Sequence, residues 1–411
     1  MLRKWEPRMP VESKYDLNSD DYFSDPYPTY DRMRVHDPVF FDETKGLWYV
    51  TRHADVMALA RHPGTSVNRV EAFFTGVSPQ LAGQVAVVRR FFFDWLVFLD
   101  PPQHTRLRRL LMKAFSPAAV ARLAPGLNEI VDETLDDLAD HDAFDVVNEF
   151  GVPVTLRLIA RMIGIPDSDI GSFKALADAA IKPLTWTGDP DGNVVAAHDG
   201  VVGLEAFFRG LIQERRRRPA DDLLTHLIQA GAGDQAMTDQ EIVSTCAMLL
   251  VAGHETSANL IGTGLLALLR HPDQLALLRD DPALIDSAVE EFLRYDGSGG
   301  GIGRIATEPI EFSGGRIPPG QLAFGLTHAA NHDPAVFENP GRLDIRRTDN
   351  RHLGLGHGLH MCLGAHLARL ETRTAISALL HRRPRLTLVT EKPRWIRSLS
   401  HRGVQALAVA G

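Results

Sequence analysis

The stretch HLGLGHGLHMCLG, residues 352–364, decides how the rest of the sequence is interpreted. Four glycines surround Cys362, and a helical spacing of leucines begins directly after it. Glycine allows unusual backbone angles and close approach to a flat ligand. A cysteine at a helix N-terminus lies near the positive end of the helix dipole, which favours its thiolate. The pattern therefore predicts a thiolate ligand for haem iron, with nearby N–H groups that tune its redox potential.

Other chemistry is compatible with a lone cysteine in such a stretch. A buried, unreactive cysteine is the simplest alternative, but the density of glycines argues against it. A zinc site that uses His357, His360, Cys362 and His366 stays open, although structural zinc sites usually contain two or more cysteines. Covalent attachment of a c-type haem needs a C-x-x-C-H motif, which the sequence lacks.

The composition is that of an ordinary acidic globular protein. The 411 residues include 44 Lys plus Arg and 52 Asp plus Glu, so the formal net charge is −8. This charge argues against nucleic acid as the main partner. Two cysteines exclude a disulfide scaffold, and the first ten residues contain no apolar signal or anchor. We therefore expect a cytoplasmic protein that binds neither nucleic acid nor membranes.

One apolar stretch, residues 242–269, is long enough to span a bilayer. It carries His254, Glu255 and Asn259 in its middle, and charged groups at the centre of a bilayer are costly. The stretch therefore predicts a buried core helix and not a membrane span.

The remaining chain predicts a mainly α protein with small β-sheets. A helical pattern runs from Asp100 to about Arg294 and is interrupted by prolines. Residues 39–51 predict a hairpin, because apolar runs flank a polar turn that contains glycine. We expect one domain, residues 1–411, whose β-rich parts lie at roughly residues 36–52, 297–325 and 385–411.

The cysteine stretch resembles the cysteine loop of the cytochrome P450 family, the haem-thiolate monooxygenases. The family pattern runs roughly F-G-x-G-x-H/R-x-C-x-G. Leu355 stands where the family usually has a phenylalanine that packs near the sulfur, which implies a changed redox potential and an unchanged ligand. The other specified positions are present as Gly356, Gly358, His360, Cys362 and Gly364.

Two further segments resemble the same family in the expected order. Glu291 and Arg294 match its E-x-x-R pair, which in the family is buried and joins an Arg or His of the loop before the cysteine loop. Residues 331–347 resemble its A-N-x-D-P-x-x-F-x-x-P-x-x-x-D-x-x-R segment. The resemblance thus covers nearly the whole chain and implies the cytochrome P450 fold, a large helical domain that encloses haem.

The resemblance also implies the residues that hold haem b, with Cys362 as the iron ligand. His104 and Arg108 match an H-x-x-x-R pair that binds the propionates, and Arg304 and His360 match further propionate ligands. A solvated helix face is the alternative for His104 and Arg108. The remaining expected haem contacts are Ala252, Gly253, Thr256, Leu355, Gly356 and Gly364.

The apolar stretch contains the sequence Ala-Gly-His-Glu-Thr at residues 252–256. A threonine hydroxyl competes for a backbone carbonyl, so Gly253 and Thr256 together favour a local opening of the helix. The resemblance to the A/G-G-x-D/E-T motif implies that Thr256 hydrogen-bonds the bound dioxygen and that Glu255 helps deliver protons. A distorted core helix with a satisfied threonine is the alternative, and His254 receives no role.

Aromatic residues precede the predicted helix at Asp100, and such a density suits an apolar ligand, although core packing explains about half of them. The glycines at 299–301 and 303 remove side chains from a segment that narrows the pocket in the family, so we expect extra room or a mobile wall there. The expected pocket residues are Phe98, Leu249, Ala252, Gly301 and Ile302.

The resemblance implies a monomeric enzyme that inserts one atom of O2 into an apolar small molecule. Hydroxylation or epoxidation in secondary metabolism or catabolism is expected, with electrons from a ferredoxin and its NAD(P)H-dependent reductase. Arg106, Arg109 and Lys113 are expected to dock this acidic partner. Coupling, aromatisation or peroxide-driven oxidation on the same scaffold remains open, as does a haem sensor or ligand carrier.

Overall fold

The computed structural model describes residues 13–185, 189–231 and 233–411. Helices make up 58% of it, as the helical periodicity predicts. The α-helices are α1 Asp20–Ser24, α2 Tyr27–His36, α3 His53–Arg61, α4 Ala82–Phe93, α5 Gln103–Leu111, α6 Pro117–Ala121, α7 Ala124–Asp137, α8 Val152–Ile163, α9 Ile170–Ala180, α10 Pro190–Arg217, α11 Leu223–Gln229, α12 Asp239–Arg270, α13 Pro272–Asp280, α14 Ile285–Asp296, α15 Thr327–Asn331 and α16 Ala365–Arg382.

The strands form small sheets at one side of the helices. The largest has the order β1-β2-β8-β5-β3, and its β1–β2 hairpin pairs Phe40 with Tyr49 inside the predicted hairpin. The strands β3 and β4 lie outside the three segments expected to be β-rich. The strands are β1 Val39–Asp42, β2 Leu47–Val50, β3 Thr65–Ser66, β4 Ala143–Asp145, β5 Gly301–Ala306, β6 Ile310–Phe312, β7 Gly315–Ile317, β8 Leu322–Leu326, β9 Thr387–Leu388 and β10 Ala408–Ala410.

Helix α12 is the central element of the fold. It begins with a capping box in which the Thr238 side chain accepts from the Glu241 N–H and the Glu241 carboxylate accepts from the Thr238 N–H. Nearly all side chains from 242 to 250 and from 257 to 268 are buried, so the core helix predicted for residues 242–269 is confirmed. In the part of the chain that the structure describes, no helix has both the length and the apolar character needed to cross a membrane.

Glycines on α12 let neighbouring elements pack against its backbone. A Cβ atom at Gly264 would come within 2.8 Å of the Phe292 ring on α14, and one at Gly262 within 2.7 Å of the Val147 side chain. These close approaches place α14, and the loop region that follows it, at a fixed position beside α12.

Candidate active site

The cysteine loop folds as a tight turn that precedes α16. A short 3-10 turn covers Gly358–His360, and the Cys362 N–H donates to the Leu355 carbonyl at 2.8 Å. Gly356 and Gly358 have φ angles of +73° and +74°, in the left-handed region that side chains disfavour. The two glycines therefore permit the turn that leaves Cys362 partly exposed at its end.

The environment of Cys362 does not by itself favour the thiolate, contrary to our sequence-based expectation. Burial raises the pKa of the Cys362 thiol, and the N–H of Gly364 and the guanidinium of Arg108 offset this only in part. The low polarity of the site thus outweighs the nearby helix end. A metal cation would supply the missing stabilisation, because coordination deprotonates a thiol.

Glu290 on α14 ties the cysteine loop to two helices, and the sequence analysis missed it. Its carboxylate accepts from the Arg369 guanidinium on α16 at 2.5 and 2.8 Å and lies 3.1 Å from His352 Nε2. Although burial opposes ionisation, hydrogen bonds from Arg369 and His352 lower the pKa of Glu290 to about 2. The carboxylate therefore stays charged and holds the start of the loop.

The neighbouring Glu291 and Arg294 form a bidentate ion pair at 2.7 and 2.8 Å, and neither side chain is exposed. Arg347, which lies in the loop before the cysteine loop, donates to the same Glu291 carboxylate at 3.2 Å. Arg294 also donates to the Asn331 carbonyl at 3.0 Å, and the Asn331 side chain accepts from the Leu353 N–H at 2.7 Å. The pair is thus fully hydrogen-bonded, as a buried charge pair requires, and reaches the cysteine loop through Asn331.

Cationic side chains converge beside the cysteine loop. The imidazoles of His104 on α5 and His360 lie with ring centroids 4.1 Å apart and their planes tilted by 44°, and Arg108 donates to the Met361 carbonyl at 2.7 Å. Arg304 on β5 is buried there as well. The structure adds Arg69, whose guanidinium lies 4.8 Å from the Phe98 ring centroid and which the sequence analysis did not identify.

The charge of this cluster is uncompensated. Burial and the positive charges of His104, Arg304, Arg108 and Arg69 lower the pKa of His360 to about 3. Burial lowers the pKa of Arg304 to about 10, and the neighbouring Asp100 offsets this only in part. Asp100 already accepts from the Ser66 hydroxyl and the Val67 N–H.

An anionic ligand would satisfy this cluster. His104 is 1% exposed, and both of its ring nitrogens lack a partner among the described residues. Such orphaned polar atoms are costly unless a ligand binds them. Haem carries two propionates, and these match a pocket of buried arginines and histidines beside a cysteine. The residues present therefore fit haem.

The middle of α12 is accessible, in contrast to the stretches of the helix before and after it. Ala252 and Glu255 are exposed and Gly253 and Thr256 half-buried, although buried residues flank them on both sides. The Thr256 hydroxyl donates to the Ala252 carbonyl at 2.6 Å, which is the competition for a backbone acceptor that the sequence predicts. The helix is nevertheless continuous from Asp239 to Arg270, so the expected local opening is not seen. An acid and an alcohol lie side by side on this accessible stretch.

The expected pocket residues differ in their accessibility. Ala252 is exposed and Gly301 half-buried, whereas Phe98 and Leu249 are buried in the main core cluster. Ile302 points into a second core cluster with Val56 and Leu59 of α3, so it is a packing residue and not an accessible wall. The aromatic residues divide in the same way: four of them are buried against one another, Phe91, Phe92, Trp95 and Phe98, and three are half-buried, Phe73, Phe74 and Phe93.

The glycine run at 299–301 leaves no extra room, so that expectation is wrong. Gly299 pairs with His401 in a β-bridge, and the Gly300 N–H donates to the Ser400 carbonyl at 2.9 Å. A Cβ atom at Gly300 would lie 2.5 Å from the Leu399 carbonyl oxygen, and one at Gly301 2.5 Å from the Phe324 ring. We call residues 299–301 the glycine wall. Neighbouring residues pack into the space that side chains at these positions would occupy.

Two other expectations change with the geometry. Arg106 forms an ion pair with Glu241 and donates to the Ala236 carbonyl at 3.2 Å, so it is engaged with the start of α12 and is not a free docking residue. The alternative zinc site is also unsupported, because among the described residues His357, His360, Cys362 and His366 do not cluster as metal ligands.

Glu371 on α16 is a buried acid that the sequence analysis did not identify. It is 1% exposed, and neither oxygen has a hydrogen-bond partner of good geometry among the described residues, although the Ser257 hydroxyl lies near. Burial raises the pKa of Glu371 to about 8, and Ser257 offsets this only in part. The carboxyl is therefore mainly protonated at neutral pH.

Replacing this acid should change the pH dependence of stability. The folded pKa of about 8 lies above the ordinary value of 4.5. The protonated Glu371 therefore makes its full contribution to the stability of the fold below pH 4.5, and that contribution is lost as the pH rises to about 8. We expect E371Q to gain a few kcal/mol over the wild type between pH 5 and pH 8. Chemical unfolding at both pH values measures this, with the exposed E129Q as control. If the free energies of unfolding of E371Q and the wild type differed by the same amount at pH 5 and at pH 8, this prediction would be wrong.

The arrangement defines a class of site. A cysteine at the end of a glycine-rich loop, a buried cationic cluster for a dianionic ligand and an accessible acid–alcohol pair on the central helix together describe a haem-thiolate centre. Comparison with known proteins identifies the family that carries it.

The sequence model of the family described as Cytochrome P450 matches residues 200–384. The Biotin biosynthesis cytochrome P450 of Bacillus subtilis (strain 168) is 35% identical over 398 residues, which cover 95% of this chain and 97% of the relative. The Vitamin D(3) 25-hydroxylase of Pseudonocardia autotrophica is 35% identical and covers 91% of this chain and 90% of the relative. The chain therefore belongs to the cytochrome P450 family.

A solved structure shows the same fold. P450BioI in complex with an acyl carrier protein that carries hexadec-9Z-enoic acid superposes with a TM-score of 0.88 at 33% identity, over 96% of this chain and 100% of that chain. The protein is a haem-dependent monooxygenase that acts on small molecules with O2.

Proposed function

We propose that the protein binds haem b and inserts one atom of O2 into an apolar small molecule, by hydroxylation or epoxidation, with electrons from a ferredoxin and its NAD(P)H-dependent reductase. The buried arginines and histidines beside Cys362 carry this proposal, because the two propionates of haem would complement them and Cys362 would be available as the iron ligand. Two free cysteines and no disulfide are compatible with a monomer in the cytoplasm.

Each arginine and histidine of this cluster has a part in holding the cofactor. His104, Arg108, Arg304 and His360 would bind the propionates, and Arg69 adds a further guanidinium to the same pocket. Cys362 would be the iron ligand. When bound, haem supplies the reductive activation of O2. Residues of α12 would then control the access of water and protons.

Thr256 and Glu255 would control proton supply on the cavity side of α12. The Thr256 hydroxyl donates its proton to the Ala252 carbonyl, so its oxygen still offers acceptor lone pairs. It can therefore accept a hydrogen bond from a protonated group or water there. The exposed Glu255 carboxyl beside it can exchange a proton with cavity water and pass it on.

Half-buried aromatic side chains support an apolar substrate class. Half-buried Phe73, Phe74 and Phe93 offer apolar surface near the buried aromatic cluster. The relatives act on or bind lipophilic molecules by name, vitamin D(3) in one case and hexadec-9Z-enoic acid in another. A ligand screen on the ferric enzyme, read as a shift from low to high spin, identifies the substrate.

A turnover experiment with labelled O2 tests the proposed reaction. With a surrogate ferredoxin, its reductase and NAD(P)H, the product of the ligand found in the screen should carry one oxygen atom from isotopically labelled O2. Label that comes instead from water, or oxidation that needs only added peroxide, would contradict the proposal.

The docking face for the electron donor lies beside the cysteine loop. Leu359 and Met361 of the loop are 61% and 47% exposed, and Met112 after α5 is 57% exposed. Arg109 and Lys113 are exposed on or just after the same helix. Exposed apolar side chains next to cations suit an acidic protein partner, since charges steer the encounter and apolar contacts hold it.

Charge reversal on this face should slow electron transfer. We expect the double variant R109E and K113E to reduce the rate of ferredoxin-dependent haem reduction by roughly tenfold at low salt, with a smaller difference at high salt. Stopped-flow reduction measures the rate. R316E, a reversal at an exposed arginine of β7, is the control. Equal rates for the double variant and the control would refute this docking face.

A further inference from the structure

A second cluster of metal-binding residue types lies between α9 and α12. Asp178 of α9 and His254 and Glu255 of α12 place one carboxylate or imidazole atom each within 4.8 Å of the others. The sequence analysis assigned His254 no role. The structure now places its ring near two carboxylates.

The His254 ring is held in one tautomer. It is 1% exposed, and Nδ1 lies 2.8 Å from the Leu250 carbonyl. Since a carbonyl only accepts, Nδ1 carries the proton and Nε2 presents a lone pair. Nε2 is buried and has no partner among the residues that the structure describes. A backbone carbonyl on the far nitrogen is the usual support of a metal-binding histidine.

The carboxylates leave room for a cation. Asp178 accepts from Lys174 Nζ at 2.5 Å through one oxygen, a half-exposed pair one helical turn apart. Glu255 is exposed on the cavity side, so its side chain is free to turn.

We propose that Asp178, His254 and Glu255 form a binding site for a divalent cation of the zinc class, which links α9 to α12. One neutral imidazole and two carboxylates are donors that zinc accepts, and water would complete the coordination. With metal–ligand bonds of about 2.0–2.2 Å, the ligand atoms must approach one another to about 3.3 Å. Rotation of the exposed Glu255 and the half-buried Asp178 toward the fixed His254 provides this closure.

Occupation of the site would affect turnover. The metal would withdraw the Glu255 carboxylate from the cavity and fix α9 against α12. Zinc should therefore slow product formation, a consequence that rests on the proposed role of Glu255 in proton supply. The binding itself does not depend on that role.

The test uses the haem-loaded enzyme in equilibrium dialysis against zinc chloride, followed by metal analysis. The wild type should bind about one zinc ion per chain more than H254Q or D178N, whose affinity at this site should fall at least about tenfold. H198Q, which alters a half-exposed histidine beside Asp199 on α10, is the matched control and should bind as the wild type does.

Thermal unfolding checks that the variants are folded. Without zinc, H254Q and D178N should keep the wild-type haem content, and only the wild type and H198Q should gain stability when zinc is added. Equal zinc binding in all four proteins would overturn the proposal. Site-specific binding without any inhibition of turnover would uphold the metal site and refute the role given to Glu255.

Discussion

The C362S variant is expected to lose the spectrum of sulfur-ligated haem and essentially all monooxygenase activity. Cys362 is the thiol at the end of the cysteine loop, and a serine oxygen does not supply the electron density that a thiolate gives to iron. After reduction and addition of carbon monoxide, the absorption band diagnostic of sulfur ligation should be absent. Haem content should fall only in part, because the arginines and histidines that would bind the propionates are unchanged.

Cys246 provides a matched control for this variant. It is the other cysteine of the chain and lies fully buried in α12. Burial raises the pKa of the Cys246 thiol, which makes it unreactive. C246A should keep both the carbon monoxide band and turnover. A C362S enzyme that retains the band would show that the iron ligand lies elsewhere.

The T256A variant should retain haem and lose coupling between electron use and product formation. Its hydroxyl is the polar group that α12 directs toward the cavity beside Glu255. Without it, proton supply to the reacting oxygen is disordered, and we expect product formation to fall by roughly 100-fold while NAD(P)H oxidation continues. Peroxide and product, measured per NAD(P)H consumed, report the change.

Two substitutions on the same helix separate chemistry from packing. T256S keeps a hydroxyl and should preserve most of the coupling. T263V removes a buried hydroxyl of α12 that has no partner among the described residues, and coupling should be unchanged. Tightly coupled product formation by T256A would refute the role of Thr256.

Short sequence patterns were enough to predict the elements whose defining residues lie close together in the chain. Examples are the glycines around Cys362, the E-x-x-R pair and the apolar spacing of α12. The structure places each of these patterns in the helix or turn expected. The ion pair of Glu291 with Arg294 lies within a stretch of four residues.

Long-range packing explains what the sequence analysis missed. Arg69 joins the cationic cluster only because β3, just before it, pairs with β5, which carries Arg304. Glu290 is one residue from the recognised pair, yet its partners Arg369 and His352 lie far along the chain. The pKa of the Cys362 thiol depends on burial, which no local pattern reports.

The glycine wall has a consequence for anyone who wishes to alter which molecules this enzyme accepts. A methyl group at position 300 would collide with the backbone at Leu399, so mutant libraries aimed at residues 299–301 should return mostly misfolded clones. The facing stretch from Ile396 to Gly403 is tied to the wall by the Gly300–Ser400 hydrogen bond and the Gly299–His401 bridge, so it shares this constraint. Laboratory evolution of new selectivity should therefore begin outside both segments.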